Sequence, residues 1–207
     1  MLKVFVPGQE NTPPAGRDHI SAIPPNATWI DLLNPSREEE ALVERDLGLL
    51  IPTREDMVEI EPSSRLYQEG GALFLTATIL SGVDIGNPQS APVAFVLTKE
   101  RLITIRYDDP KPFRSFIGHL KRQPELCRSP ASTLVHLLDA IVERLADLLE
   151  EVVASNDAIS KAVFRRGTGA KRQRMTNETL EDILIRIGNA QDVLARARDS
   201  LSGLSRL

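Results

Sequence analysis

TNETLEDILIRIGNAQDVLARARDSLSGLSRL, residues 176–207, ends the chain and predicts a long amphipathic helix. Its apolar residues recur at the spacing of one helical face, namely Leu180, Ile183, Leu184, Ile187, Val193, Leu194, Ala197, Leu201 and Leu204. Ser202 and Gly203 are the only hint of a helix end, and neither a Gly-then-Pro stop nor a polar tail follows them. We therefore expect an element cut before its end, in a chain that is the soluble part of something larger.

A second long helix is predicted immediately before this one. From Ala131 to about Phe164 the apolar residues form one stripe, made of Leu134, Leu137, Leu138, Ile141, Leu145, Leu148, Leu149 and Val152. The segment 165–174 breaks this pattern with five basic residues in ten. Two long helices joined by a short loop form an antiparallel hairpin. We interpret the basic loop as the solvated tip of the hairpin, with contact to phosphate or anionic lipid as the alternative.

The first 129 residues have the pattern of a mixed α/β unit. Short runs bounded by turn residues predict strands at 2–6, 29–32, 66–67, 72–80, 93–98 and 101–106. Asn34 and Pro35 suit a helix start, as N-cap and first helical residue, and acidic residues follow them. Thr53 and Asp56 have the spacing of a capping box at the start of another short helix. A third helix is predicted over residues 112–123.

Composition limits the classes of function. The 207 residues are 42% hydrophobic and 26% charged, ordinary values for one large globular domain or a domain with an appendage. The net charge of −4 argues against a general nucleic-acid binder. Cys127 is the only cysteine, which excludes a disulfide framework and suits a reducing compartment. The apolar stretches are too short for a signal peptide or for the about 20 residues of a transmembrane helix.

Several kinds of site are disfavoured by spacing. His19, His119 and His136 stand apart from one another and from the cysteine, so a zinc site is not expected. No G-x-S-x-G elbow supports a hydrolase. The glycine-containing segment 167–171 lacks both the spacing of a phosphate-binding loop and a preceding strand.

Three carboxylates remain as candidates for metal binding. Glu55 and Asp56 are adjacent in the first turn of a short predicted helix, where capping and the helix dipole already explain acidic residues. Asp139 lies in a nearly uncharged stretch, so it is either partly buried with a partner or on the exposed edge of its helix. Magnesium takes oxygen ligands and keeps several waters, so one or two carboxylates per ion suffice. Spacing alone leaves both interpretations open.

Four blocks of sequence, taken in order, resemble the CorA-type magnesium transporters. They are WIDLLNP at residues 29–35, the segment 47–65 that contains Glu55 and Asp56, FVLTK with LITI at residues 95–105, and LLDAIV at residues 137–142. No block is specific by itself. Their order and spacing extend the resemblance over nearly the whole chain.

The resemblance implies a fold and an assembly. The fold is α/β, an α/β/α sandwich with a mixed sheet over residues 1–129, followed by a long antiparallel helical hairpin over residues 130–207. In that family the domain lies on the cytoplasmic face of the inner membrane, as part of a homopentameric funnel. The last long helix leads into the first of two transmembrane helices, and a Gly-Met-Asn pore motif belongs to the missing part.

The resemblance also implies regulatory metal sites between subunits. Asp56 is similar to a carboxylate that binds a regulatory ion against an aspartate of the neighbouring subunit. Glu55 and Asp139 are similar to the pair that forms a second site nearby. We expect Mg²⁺, or Co²⁺, to bridge these carboxylates and stabilise the closed state of a transporter, with no covalent chemistry and no nucleic-acid partner.

Three other functions are weighed against this one. A zinc-transporting relative of the same superfamily would share the fold, since ion choice lies mainly in the pore. A soluble scaffold that oligomerises through its helical hairpin would show a closed apolar stripe. An enzyme using the three carboxylates for phosphoryl chemistry would need a phosphate cradle, and the sequence offers none.

Overall fold

The structure is a computed structural model that describes residues 1–8, 22–58, 65–164 and 177–206. Its elements are β1 (Leu2–Phe5), β2 (Trp29–Leu33), α1 (Arg37–Leu47), α2 (Arg54–Val58), β3 (Leu66–Glu69), β4 (Ala72–Ser81), β5 (Gln89–Leu97), β6 (Leu102–Arg106), α3 (Lys111–Leu120), α4 (Pro130–Phe164) and α5 (Asn177–Leu204). Short 3₁₀ turns cover Val83–Ile85 and Pro124–Cys127. The basic loop 165–174 and His19 lie outside the described residues.

One six-stranded mixed sheet, in the order β1-β2-β6-β5-β4-β3, forms the centre of the fold. The second and third strands in this order, β2 and β6, are parallel, and the other neighbouring pairs are antiparallel. All five residues of β6 are buried, as expected for a strand covered on both faces. The six predicted strands are confirmed, but β5 begins four residues before the predicted Val93. Pro92 lies within this first part of β5, although proline is usually excluded from paired strands. Proline is tolerated there because β6 pairs with β5 only from Val93 onward.

The sheet separates two hydrophobic cores. Alternate residues of a strand face opposite sides, so Phe95 of β5 belongs to one core and Val96 to the other. We call α1 and α2 the upper layer, which packs on the sheet through Val43 and Met57. We call α3, α4 and α5 the lower layer, which shares the core of Phe95. The predicted α/β/α sandwich with a helical hairpin is therefore confirmed.

The first helix begins later than predicted. Asn34 is not its N-cap, because Asn34 has a left-handed backbone with φ of 45°. Ser36 is the N-cap, and its hydroxyl accepts from the Glu39 N–H while the Glu39 carboxylate accepts from the Ser36 N–H. The reciprocal pair is a capping box. The helix therefore starts after Pro35, and at its other end Gly48 closes it in the left-handed conformation.

The two long helices form the predicted antiparallel hairpin. α4 begins at Pro130, one residue before the predicted Ala131, and its buried stripe joins the core beneath the sheet. α5 packs against both α4 and β4. Two small residues of α5, Ala190 and Ala197, are buried in the core that it shares with them. α5 ends at Leu204, and none of the helices described is both long and apolar enough to cross a bilayer.

A buried ion pair joins the parallel strands at the centre of the sheet. The Arg106 guanidinium donates to both oxygens of Asp31, from Nε at 2.9 Å and from Nη2 at 2.8 Å. Asp31 also accepts from the Thr104 hydroxyl, which in turn accepts from the Trp29 indole N–H. Burial lowers the pKa of Arg106, but the bonds and charges of Asp31 and Asp109 outweigh burial, so the pKa is raised and the charge retained.

Candidate metal-binding carboxylates

Asp56 caps the helix that carries it. Its Oδ2 accepts from the backbone N–H of Thr53 at 2.8 Å and from the Thr53 hydroxyl at 2.7 Å. The Thr53 hydroxyl accepts the Asp56 N–H in return. The predicted capping role is therefore confirmed, and buried Met57 anchors the same helix to the upper core.

Capping leaves part of the Asp56 carboxylate available. No described residue donates a hydrogen bond to its Oδ1, and the side chain is exposed. A carboxylate held at one oxygen by its own helix start is oriented before any ion arrives. Asp56 can therefore cap α2 and bind a cation with its second oxygen.

A second carboxylate, Glu69, lines the same recess as Asp56. The recess has a volume of about 160 Å³ and is bounded by residues 49–52, Asp56, Tyr67, Glu69 and Phe74. Burial first, and then the negative charges of Glu69 and Asp56, raise the pKa of Tyr67. Glu69 could not be predicted from its position in the sequence, because only the register of β3 against β4 brings it beside α2.

Glu55 is exposed and makes no hydrogen bond or ion pair with a described residue. It lies near Tyr107, whose pKa is raised by burial first, then by Glu40 and, more weakly, by Glu55. The neighbouring Arg54 guanidinium lies over the Tyr107 ring, 5.2 Å from its centroid. Glu55 is therefore a carboxylate open to solvent at the edge of the upper layer.

Asp139 lies on the exposed side of α4. Its neighbours Leu137 and Ile141 are buried in the lower core, while Asp139 faces solvent. It makes no hydrogen bond or ion pair within the described part of the chain. Of the two interpretations left open by the sequence, the exposed edge is the correct one.

The three predicted carboxylates do not meet within one chain. Glu55 and Asp56 belong to the upper layer and Asp139 to the lower, so the sheet lies between them. Within residues 1–8, 22–58, 65–164 and 177–206, no three His, Cys, Asp or Glu side chains are grouped as a metal site. His119 and His136 belong to no such group either. A site that unites Glu55 with Asp139 requires two chains.

A further charged cluster was not predicted. Asp84, which follows β4, pairs with Arg144 of α4 at 2.8 Å, with Arg114 at 3.3 Å and with Lys111 at 3.6 Å, the last two from α3. These groups line an open cavity of about 320 Å³. Three cations already surround Asp84, so the cluster ties the β4–β5 connection to the lower layer and offers little to a metal ion.

Comparison with known proteins gives a consistent family. The sequence model of the family described as "CorA-like Mg2+ transporter protein" matches residues 26–207. The magnesium transport protein CorA of Campylobacter jejuni is 28% identical over 188 residues, covering 86% of this chain and 55% of the relative. The CorA of Wolinella succinogenes is 26% identical over 180 residues, covering 85% and 53%. The chain therefore spans about half the length of the curated relatives it matches.

A solved structure shares the fold. The complete CorA magnesium transporter of Methanocaldococcus jannaschii superposes with a TM-score of 0.53 at 13% identity. The superposition covers all of this chain and 71% of that one. At this identity the likeness concerns the fold alone.

Proposed function

The chain belongs to the family of CorA-like Mg²⁺ transporter proteins, and from that premise we propose that it is the cytoplasmic, cation-sensing part of a magnesium or cobalt transporter. The match to the family over residues 26–207 carries this proposal. The domain would act by conformational change between subunits at the inner membrane, in a homo-oligomer that is a pentamer when complete. It would perform no covalent chemistry and bind no nucleic acid. We keep residues 1–129 and 130–207 as its two functional parts.

The regulatory ion would be Mg²⁺ or Co²⁺, bound by Glu55, Asp56 and Asp139. Hard divalent cations prefer oxygen ligands, and magnesium keeps several waters when it binds. The Oδ1 of Asp56 and the carboxylates of Glu55 and Asp139 have no hydrogen-bond or ion-pair partner among the described residues, and they fit such a partly hydrated ion. Few protein ligands per ion imply weak binding, which suits a sensor of millimolar magnesium.

The placement of the carboxylates gives the proposed sensing its physical basis. Carboxylates brought together between two copies repel each other when no cation is present. A bound divalent ion would replace this repulsion by attraction and favour the closed arrangement. It can shift the equilibrium only by the difference between its affinities for the two arrangements.

The test is a magnesium titration of the purified chain, followed by calorimetry and by sedimentation velocity. The variant combines Glu55→Gln, Asp56→Asn and Asp139→Asn, which remove charge and keep size. An amide oxygen at position 56 can still accept from Thr53, so α2 is expected to remain folded. We expect magnesium affinity to fall at least about tenfold, since each lost carboxylate removes a charged ligand.

A matched control removes the same charge elsewhere. Glu143→Gln, Asp147→Asn and Glu150→Gln change three exposed carboxylates on α4 that form no ion pair with a described residue. We expect the control to bind magnesium as the wild type does. Equal affinity of the wild type and the site variant, or equal loss in the site variant and the control, would contradict the proposed site.

A further inference from the structure

A groove runs between the two long helices, α4 and α5, and none of the candidate metal ligands lines it. Its volume is about 270 Å³. Its floor is aliphatic, made of Val83, Leu148, Val152, Ala190 and Val193. Sites for small molecules have volumes of about 300–1,000 Å³ and are mostly apolar, with a few polar groups that orient the ligand. The groove therefore has nearly the size, and the lining, of a site for a small ligand with an apolar part.

Polar donors lie at one end of this groove. Because the hairpin is antiparallel, Ser155 of α4 and Arg186 of α5 lie together, at the opposite end from Leu148 and Val193. The Arg186 guanidinium donates to the Ser155 hydroxyl at 3.2 Å, which holds it beside the groove. Asn189 follows Arg186 by three residues and so lies on the same side of α5. This end offers a guanidinium, an amide and a hydroxyl to a ligand.

The positive charge of Arg186 is not neutralised by the groove itself. Its one hydrogen bond within the described residues is to a neutral hydroxyl. Among the residues that line the groove, Glu151 is the only acid, and Glu151 pairs with Arg144 at 3.1 Å. Arg144 also pairs with Asp84 at 2.8 Å, so the cation at the other end of the groove already has two carboxylates. An anionic group is therefore favoured at the Arg186 end.

We propose that the groove binds an anionic amphiphile, a medium-chain carboxylate, with its head at Arg186 and its alkyl chain on the aliphatic floor. A guanidinium binds a carboxylate through two parallel N–H···O bonds, and Asn189 can donate a further one. The alkyl chain runs along the hairpin toward Val83 and gains free energy by leaving water. At about 30 Å³ for each heavy atom, the size of one water in the liquid, the groove holds about nine heavy atoms. Octanoate matches this length.

This binding site is separate from the proposed metal sensing. The groove contains no carboxylate proposed as a magnesium ligand, and the head group is bound by protein donors rather than by a metal ion. We therefore expect octanoate to bind equally with and without EDTA. Failure of the metal site would leave this proposal standing, and failure of this proposal would leave the metal site standing.

The test is a titration of the purified 207-residue chain with octanoate, followed by NMR of methyl groups labelled in valine and leucine. The resonances of Val152 and Val193 should shift with a saturating dependence on octanoate, while Val43 of the upper layer should not shift. Two further probes separate head from tail. Acetate has the head without the alkyl chain, and octyltrimethylammonium has the alkyl chain with the opposite charge. Each should bind at least about tenfold more weakly than octanoate, because both parts are required.

A pair of variants tests the head group. Arg186→Gln removes the exposed guanidinium and should weaken octanoate binding at least about tenfold, since a hydrogen-bonded opposite charge is lost. The matched control is Arg198→Gln, which removes an exposed arginine of the same helix that has no ion pair with a described residue. The control should bind octanoate as the wild type does.

A further variant fills the floor of the groove. Ala190→Leu places three more carbon atoms where the alkyl chain would lie, and it should weaken octanoate binding at least about tenfold. Circular dichroism checks its fold, and Arg186→Gln keeps the test decisive if the larger side chain disturbs the hairpin.

Several results would overturn the proposal. One is the absence of saturating shifts at Val152 and Val193 in the wild type up to about 10 mM octanoate. Another is equal binding of octyltrimethylammonium, which would mean that the groove selects apolar compounds without regard to charge. Unchanged binding in Arg186→Gln, or an equal loss in Arg198→Gln, would remove the assigned head-group site.

Discussion

Replacing Asp31 by asparagine tests the central ion pair, because it removes one charge and leaves the shape of the site. Asp31 and Arg106 both have a relative exposure of 0%. Asp31→Asn leaves a buried guanidinium opposite a neutral amide, whose NH₂ group faces another donor. Breaking a buried pair in this way costs about 3–5 kcal/mol. Arg106 keeps Asp109 at 2.6 Å, so we expect the lower end, about 3 kcal/mol.

A second variant separates the strength of the pair from the cost of an unpaired charge. Asp31→Leu with Arg106→Met replaces both partners by apolar groups, which is often nearly neutral. The Thr104 hydroxyl then loses its acceptor, at a cost of about 1 kcal/mol. We expect the double variant to lose about 1–2 kcal/mol and therefore to be more stable than Asp31→Asn.

Urea unfolding measures both values. Trp29, the only tryptophan, is fully buried and bonded to Thr104, so its fluorescence reports on this site. Far-ultraviolet circular dichroism reports on the whole fold, and coincident transitions justify a two-state treatment. A loss below about 1 kcal/mol in Asp31→Asn, or a double variant less stable than Asp31→Asn, would refute the reasoning.

Three further predictions concern local features. Gly82→Ala should lower the free energy of unfolding in urea by more than about 2 kcal/mol, because the new Cβ would lie 2.1 Å from the carbonyl oxygen of Asn87. Gly86 has the same left-handed backbone but open space around it, so Gly86→Ala should lower the free energy of unfolding by only about 1 kcal/mol. Burial would raise the pKa of Glu39, but hydrogen bonds from the N-terminus and Ser36 outweigh burial and lower this pKa. The stability that ionised Glu39 provides is therefore present above its ordinary pKa of 4.5 and is lost as the pH falls through the lowered pKa. Glu39→Gln should flatten the pH dependence of the free energy of unfolding between about pH 5 and pH 3. Burial raises the pKa of Cys127, so an aromatic disulfide reagent should label it only as fast as the native chain unfolds, and rapid labelling would contradict its burial.

Most of the fold could be predicted from local pattern. The two long helices have apolar stripes of more than five turns, and the strands have continuous apolar runs bounded by turn residues. The errors fall where a backbone conformation or a partner strand decides. Asn34 has the residue type of an N-cap but adopts a left-handed φ, and Ser36 takes the role. Pro92 suggests a strand boundary, but β6 ends at Arg106, opposite Val93, so Pro92 faces no residue of β6 and β5 can begin before it.

The candidate site was predictable only in part. The capping role of Asp56 follows from its three-residue spacing to Thr53, which is a local property. The recess shared with Glu69 depends on strand register, and the position of Asp139 depends on which face of the sheet α4 covers. Neither is encoded in spacing along the chain.

The buried Asp31–Arg106 pair did leave a signal in the sequence. Asp31 interrupts the apolar strand WIDLL, and Arg106 ends the apolar strand LITIR. A charge inside an otherwise apolar strand is rarely left without a partner. Pairing the two residues with each other would also require knowing that these two strands are parallel neighbours. The residues that bond across them are 73 to 75 positions apart in the sequence.

The separation of the carboxylates by the sheet links magnesium binding to assembly. If Glu55 of one copy and Asp139 of another share an ion, magnesium stabilises the contact between copies. By linkage, contact between copies must then raise magnesium affinity by the same factor. The apparent magnesium affinity would then rise with chain concentration. For a site completed within one chain, the magnesium affinity would be independent of chain concentration. The ion would then have only to shift an equilibrium between copies, and a weakly bound, partly hydrated cation is sufficient for that.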